Sequence, residues 1–406
     1  MEDISDPMPC PEAFFREGLA AICSRAALLM ALGLSLSPPE HGVIADLDET
    51  APFPIPSVAP VSESLDEELD VRGIYRRFSR LGGLERQIEI EETVRTLYRE
   101  DRRREKQYLA VKLLALHLTD NEELLRVCAT VSWLDVAFSG GPNRRSTSDY
   151  TNQLATLLKA ARRSRDDVTR AIAMTALGRM SHLGNNSPTR LYRFLQANRE
   201  DQQTFWLSIG DFIRRIRQRA AAGRSEAETT IVHGTIFSFV GSQIDKWWRP
   251  RTGDLHIFLT KQLPQAGLYS RSDYFRWSGG WSDPAREEAA DRLVNWIVEH
   301  RFEGKNVIAH SHGSNVLIRA VEKVKLGTIV LLSCPVQPRR YGINFQNVKR
   351  IVSIRVKWDL IIMADRGRQR FDDARIQEII LPIWFGRHGT TRRSSTWRDE
   401  NLMRYL

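Results

Sequence analysis

Cysteine is scarce and unpaired in this chain: Cys10, Cys23, Cys128 and Cys334 lie far apart, with no C-x-x-C among them. That spacing excludes a zinc ribbon and argues against a disulfide framework, so a reducing, cytoplasmic setting is expected. The sequence holds no G-x-x-x-x-G-K-[ST] loop and no dinucleotide fingerprint on its first βα turn. Nucleotide cofactors therefore find no support, and none of any kind is expected. Long hydrophobic runs are also missing. The most apolar stretch, residues 19–36 (LAAICSRAALLMALGLSL), is broken by Arg25 and preceded by acidic rather than basic residues. Its unbroken part is only about a dozen residues, which disfavours a signal peptide or a membrane span. The expectation is an amphipathic helix packed on the protein body, with membrane association through it as the alternative.

Positive charge is scarce where negative charge is dense. Residues 1–70 hold no Lys, two Arg and fourteen Asp or Glu. The remainder is basic, at about +12 for residues 71–225 and about +9 for 226–406. An acidic front and a basic body attract one another before they attract anything else. The arginines are scattered through helical patterns without the aromatic signature of an RNA-binding surface, so no nucleic-acid partner is expected. At 42% hydrophobic and 27% charged residues, the composition is that of a globular protein long enough for two or three domains.

Four segments are read along the chain: an N-terminal helix (1–36), an acidic Pro-rich linker (37–72), a helical domain (73–224) and an α/β domain (225–406). Pro38, Pro39, Pro52, Pro54, Pro56 and Pro60 exclude helix interiors and central strands from the linker. Apolar spacing of three and four then continues to about residue 220. Within it Glu123–Ala129 aligns with Asp167–Ala173, and Leu113-Leu114 with Leu157-Leu158, at an offset of 44 residues in both cases. The period resembles that of helix-pair solenoids of the HEAT or armadillo kind, in which the acidic residue and the Arg would face solvent. A plain helical bundle fits equally well. Such a domain would serve as cap, sensor or docking site for a protein partner.

After Arg224 the pattern changes to strands at 229–233, 273–277, 306–310, 327–333, 350–357 and 376–381, with helices at 284–300 and 314–325. The connection at 242–262 is shorter or irregular. Alternating β and α predicts a mostly parallel sheet of about six strands covered on both faces, with functional loops along one edge. On that edge, Ala309-His310-Ser311-His312-Gly313 runs from an apolar strand directly into a helical pattern, the layout of a nucleophile elbow. Asp359 and His388 follow at spacings of 48 and 29 residues. A serine hydroxyl needs an adjacent base; His388 would take its proton, and Asp359 would hold the imidazole tautomer. Asp365, Asp372 and Asp373 are alternative carboxylates. Upstream, Val232-His233-Gly234-Thr235-Ile236 ends the first strand, where backbone N–H groups can meet a developing negative charge.

The segment 229–397 resembles the α/β-hydrolase superfamily, most closely its small bacterial serine esterase and lipase-like members. The resemblance rests on V-H-G-T after the first strand, F-R-W-S-G after the second, I-A-H-S-H-G-S-N at the elbow, W-D-L-I at the acid, and R-H-G followed by Ser395-Thr396-Trp397. It implies a trimmed α/β-hydrolase fold that starts at the superfamily's third strand. It also implies Ser311 as nucleophile, Asp359 as acid, His388 as base, and the N–H groups of Thr235 or Ile236 and of His312 as oxyanion donors. Ala309 departs from the usual glycine. Cleavage of a small-molecule or lipid ester is expected, with membrane-surface contact as an accompaniment.

Each sharp reading has a plainer rival. H-S-H-G resembles half of a zinc-binding H-x-H-x-D-H run, but Ser314 and Asn315 stand where the further ligands should be, so no metal is expected. His310 reads as buried behind the elbow, hydrogen-bonded to backbone. His233 reads as shaping the oxyanion loop together with Gly234. Trp247 and Trp248 either pack in the core or line an acyl or aromatic pocket. The rival function is an inert or gated scaffold, or a defence effector, whose helical domain binds a partner.

Overall fold

A computed structural model of the chain describes residues 15, 17–37, 54–61, 69–138, 151–180, 227–235, 247–263, 267–280, 283–383 and 388–406. The chain divides into two compact units. The first comprises Met1–Arg193 with Met363–Gly367 and Ile383–Phe385; the second comprises Phe194–Ile362, Arg368–Pro382 and Gly386–Leu406. The expected division at 224/225 falls outside the described residues.

The helices of the first unit are α1 (Leu19–Leu36), α2 (Val71–Phe78), α3 (Gly83–Arg99), α4 (Arg103–His117), α5 (Glu123–Phe138), α6 (Thr151–Arg163) and α7 (Asp167–Met180). α1 is rich in Ala and Leu, which lose little freedom on becoming helical. Its buried hydroxyls bond back into the helix, Ser24 to Ala20 O, Ser35 to Ala31 O and Ser37 to Gly33 O. Residues 26–36 are buried on every side, so α1 is a core helix rather than the amphipathic one expected. It is long and apolar enough to cross a membrane by length and composition, yet 72% of it is buried within the protein. The proline segment 54–61 also belongs to this unit. Its carbonyls are held by Tyr98 Oη at Pro54 and by Gln107 Nε2 at Ala59 and Pro60.

The 44-residue offset carries one helix pair, α4 and α5, onto another, α6 and α7. It also carries a hydrogen bond. Arg126 Nη1 donates to the carbonyl of Asp120, and Arg170 Nη1 to that of Ser164, six residues back in each copy. The repeated arginine thus ties the inter-helix turn to the helix that follows, instead of facing solvent as the sequence pattern implied.

The second unit is α/β. Its described strands and α-helices are β1 (Thr229–Val232), α8 (Asp254–Gln262), α9 (Asp283–Glu299), β2 (Asn306–His310), α10 (His312–Ala320), β3 (Leu326–Leu332), β4 (Val348–Val356), α11 (Leu360–Ala364, whose last two residues fall in the first unit), β5 (Ile376–Leu381) and α12 (Ser394–Asp399). Among the described residues the strands form one five-stranded parallel sheet in chain order, β1-β2-β3-β4-β5, against the six or so expected. Val307, Ala309, Ile329 and Leu331 share a core with Leu293, Trp296 and Ile297 of α9 and Val316 and Leu317 of α10. The alternate residues Ile308, Val330, Leu332, Val352 and Ile354 are buried as well. Both faces of the sheet are therefore covered, and the central strands read as near-continuous apolar runs.

The expected strand 273–277 is not one. Leu268 alone bridges β1 at Thr229. Phe275 and Trp277 are buried in the core beside α9, and Trp277 spends its backbone and indole N–H groups on His233 rather than on a strand ladder.

Candidate functional site

The parallel register brings the carboxyl ends of β1, β2 and β4 to one edge of the sheet, which places His233, Ser311 and Asp359 along it. Ser311 stands between β2 and α10 with φ 53° and ψ −134°, a region sparsely populated by residues other than glycine. Such a conformation costs on the order of 1–3 kcal/mol and persists only where its surroundings over-determine it. Here Ser311 N donates to Leu332 O at 2.8 Å, extending the β-ladder by one bond, and Ser311 O accepts from Ser314 N at 2.8 Å. A side chain at Gly234 would lie 2.7 Å from His310 O and 2.8 Å from Ser311 Cβ, so glycine lets the β1 loop close on the serine.

Asp359 follows β4 and is 1% exposed. Its Oδ2 lies 2.7 Å from His388 Nδ1. Its Oδ1 accepts from the N–H groups of Ile361 and Ile362 at 3.1 and 3.4 Å, in the first turn of α11. Its own N–H donates to Gln369 Oε1 at 3.0 Å. A carboxylate can only accept, so His388 Nδ1 carries the proton and Nε2 is the basic nitrogen of the neutral ring. His388 Nε2 is buried and has no hydrogen-bond partner among the described residues, Ser311 Oγ included. Of the alternative carboxylates, Asp372 pairs with Arg368, and Asp373 is pushed down to about 2 by its hydrogen bonds with Arg375.

The β1 loop is tied to both neighbours. Trp277 N donates to His233 Nε2 at 3.3 Å, which leaves His233 Nδ1–H to donate to Gly234 O at 2.8 Å. Both nitrogens of His233 are thus engaged, one with the loop's own backbone and one with Trp277. Thr235 Oγ1 lies 2.7 Å from His312 Nδ1, joining the loop to the first residue of α10. Ile236 lies outside the described residues. Trp248 stacks on His233 at 4.3 Å between ring centroids, and Trp247 meets the edge of His310 at 5.4 Å. Both tryptophans are buried beside these strand ends. Cys334, just past β3, is no rival nucleophile, because burial pushes its thiol well above the usual range.

Three connections were not anticipated from sequence: Gln369 on the Asp359 backbone, Ser333 Oγ to Thr391 Oγ1 at 3.0 Å, and His310 Nε2 to His388 O at 3.2 Å. Gln369 carries no signal, being one polar residue in a loop. His310 was read as bonded to backbone, without the partner. Comparison of the sequence with protein-family models and with curated proteins finds no match.

Proposed function

We propose that the second unit is a serine hydrolase of the trimmed α/β-hydrolase kind that cleaves esters through an acyl-enzyme on Ser311. The observation that carries this reading is the strained serine at the end of β2, next in chain to the residue that bonds the backbone of His388, whose ring is in turn paired with buried Asp359. In the reaction, His388 Nε2 takes the Ser311 proton as Oγ bonds to the ester carbonyl carbon. The resulting imidazolium is stabilised by Asp359. The tetrahedral oxyanion accepts from the N–H of His312, the residue after the nucleophile at the start of α10, and from the N–H of Thr235 or Ile236. Collapse expels the alcohol, which receives the proton from His388; water then repeats the sequence and frees the acid.

Trp247 and Trp248, buried beside the strand ends, would form the apolar wall against which the acyl or aromatic part of a small-molecule or lipid ester lies. The test is labelling with a fluorophosphonate. The intact protein is expected to label, and Ser311→Ala and His388→Ala to remain unlabelled while folded. Labelling that persists in Ser311→Ala would remove Ser311 from the role. A folded, unlabelled intact protein would favour the inert scaffold.

A further inference from the structure

Among the buried polar side chains around Ser311, His310 has no part in the chemistry proposed above, yet it touches three parts of the site. It ends β2 and is 4% exposed. Its Nε2 lies 3.2 Å from the carbonyl oxygen of His388. A carbonyl can only accept, so Nε2 carries the proton and Nδ1 holds the lone pair. The His310 ring meets the His388 ring edge-on at 4.9 Å and the Trp247 ring at 5.4 Å. On a third side stands Gly234, where a side chain would come within 3.0 Å of His310 Nδ1.

We infer that His310 is a positioning residue: its Nε2–H fixes the backbone of His388 and thereby the aim of His388 Nε2 at Ser311. The inference rests on the serine-hydrolase reading. His388 lies seven residues beyond the end of β5, outside any strand ladder. Asp359 holds its ring by one nitrogen, which by itself allows the ring to pivot. The bond from His310 to the carbonyl anchors the other end of the residue, so ring and backbone are held at separate points. Rates are sensitive to such placement, since a displacement of about 1 Å can cost roughly 10²-fold. His310 suits this task because it stays neutral. Burial lowers its affinity for a proton well below that of an ordinary histidine, and the charge of Arg392 lowers it further. It therefore donates a hydrogen bond without opposing the positive charge that His388 must take up.

The experiment compares His310→Phe, which keeps a ring but removes the donor, with His310→Gln, whose side-chain N–H reaches the same carbonyl. Labelling rate by a fluorophosphonate and kcat and KM on a p-nitrophenyl ester are measured alongside thermal unfolding. His310→Phe is expected to lower kcat and labelling roughly 3- to 10-fold, the factor for one neutral hydrogen bond, with KM unchanged. His310→Gln is expected to recover most of the loss. Equal impairment of both variants, or of neither, would overturn the inference. A second measurement needs no variant and no activity: two-bond ¹⁵N–¹H correlation of the labelled full-length protein. The Nε2–H tautomer of His310 is expected there, and Nδ1–H would overturn the inference. A protein that shows this tautomer but no Ser311-dependent labelling would overturn the hydrolase reading and leave the His310–His388 bond standing.

Discussion

Gly313 packs its Cα against the carbonyl of His233 so closely that a side chain on residue 313 would overlap that oxygen and crowd Val232 O. The obstruction is backbone on both counts, so no rotamer change relieves it. Gly313→Ala must push α10 away from the end of β1, and with it the serine that sits between β2 and α10. Overpacking of this kind costs about 1–3 kcal/mol. The variant is expected to unfold at lower denaturant concentration and to lose Ser311 labelling out of proportion to its loss of fold. Ala309→Gly, at the other small position of the elbow, is expected to leave labelling near that of the intact protein.

Asp359 meets His388, whereas Asp372 and Asp373 are engaged with Arg368 and Arg375. Asp359→Asn keeps the shape but gives the ring a partner that no longer demands a proton on Nδ1. Amidation of the acid in such a triad costs about 10⁴-fold in kcat. Ester turnover by Asp359→Asn is expected to fall on that scale, while Asp372→Asn and Asp373→Asn stay near the intact rate. A comparable loss in either of the latter would move the acid elsewhere.

Strand positions were legible wherever an apolar run was bounded by turns, because a sheet buried on both faces needs unbroken apolar strands. β2, β3, β4 and β5 each fall within a residue or two of their expected bounds. The segment 273–277 (DYFRW) is aromatic and charged rather than β-branched, and it has a different fate. Trp277 is large enough to reach His233 and bury itself, and that packing outweighs a ladder at the sheet edge. Ser311, Asp359 and His388 were singled out by their order along the chain, and the fold pairs two of them, Asp359 with His388. The bonds that brace them were not legible, because Gln369 and the His388 carbonyl become partners only through the fold. For α1, the single Arg25 suggested a polar face, yet the residues after it are enclosed on all sides.

That enclosure makes α1 a stability element of the first unit. Leu32 is fully buried within it. Leu32→Ala is expected to cost about 2–5 kcal/mol, the range for large-to-small changes in close-packed cores. Denaturant unfolding followed by circular dichroism checks this. A helix whose real environment is lipid would show little change in the soluble protein's unfolding, and vesicle flotation of the intact chain would then recover it with the membrane fraction.

Acid is expected to weaken the second unit before the Asp283 carboxylate is neutralised. Burial lowers His310 well below the ordinary histidine value, reinforced by the charge of Arg392, and burial lowers His256 in the same direction. In the unfolded chain both titrate near the ordinary value of about 6.5. Below that pH the unfolded state binds protons that the folded state refuses, so the unfolding free energy falls as pH falls. The stability is thus fully present above about 6.5 and is lost progressively toward the depressed folded values. Asp283 belongs to a lower window. Burial opposes its ionisation, but the charge of Arg286, with hydrogen bonds from Tyr341 and Arg286, outweighs it and holds the carboxyl below its ordinary 3.8. Its contribution is therefore lost only under stronger acid. Melting temperature measured from pH 8 to pH 5 should stay level above 7 and decline below 6.5. His310→Gln, which removes one of the two titrating groups, should flatten that decline. A melting temperature unchanged down to pH 5, or a slope identical in His310→Gln, would mean that His310 takes up its proton in the folded state as readily as in the unfolded one.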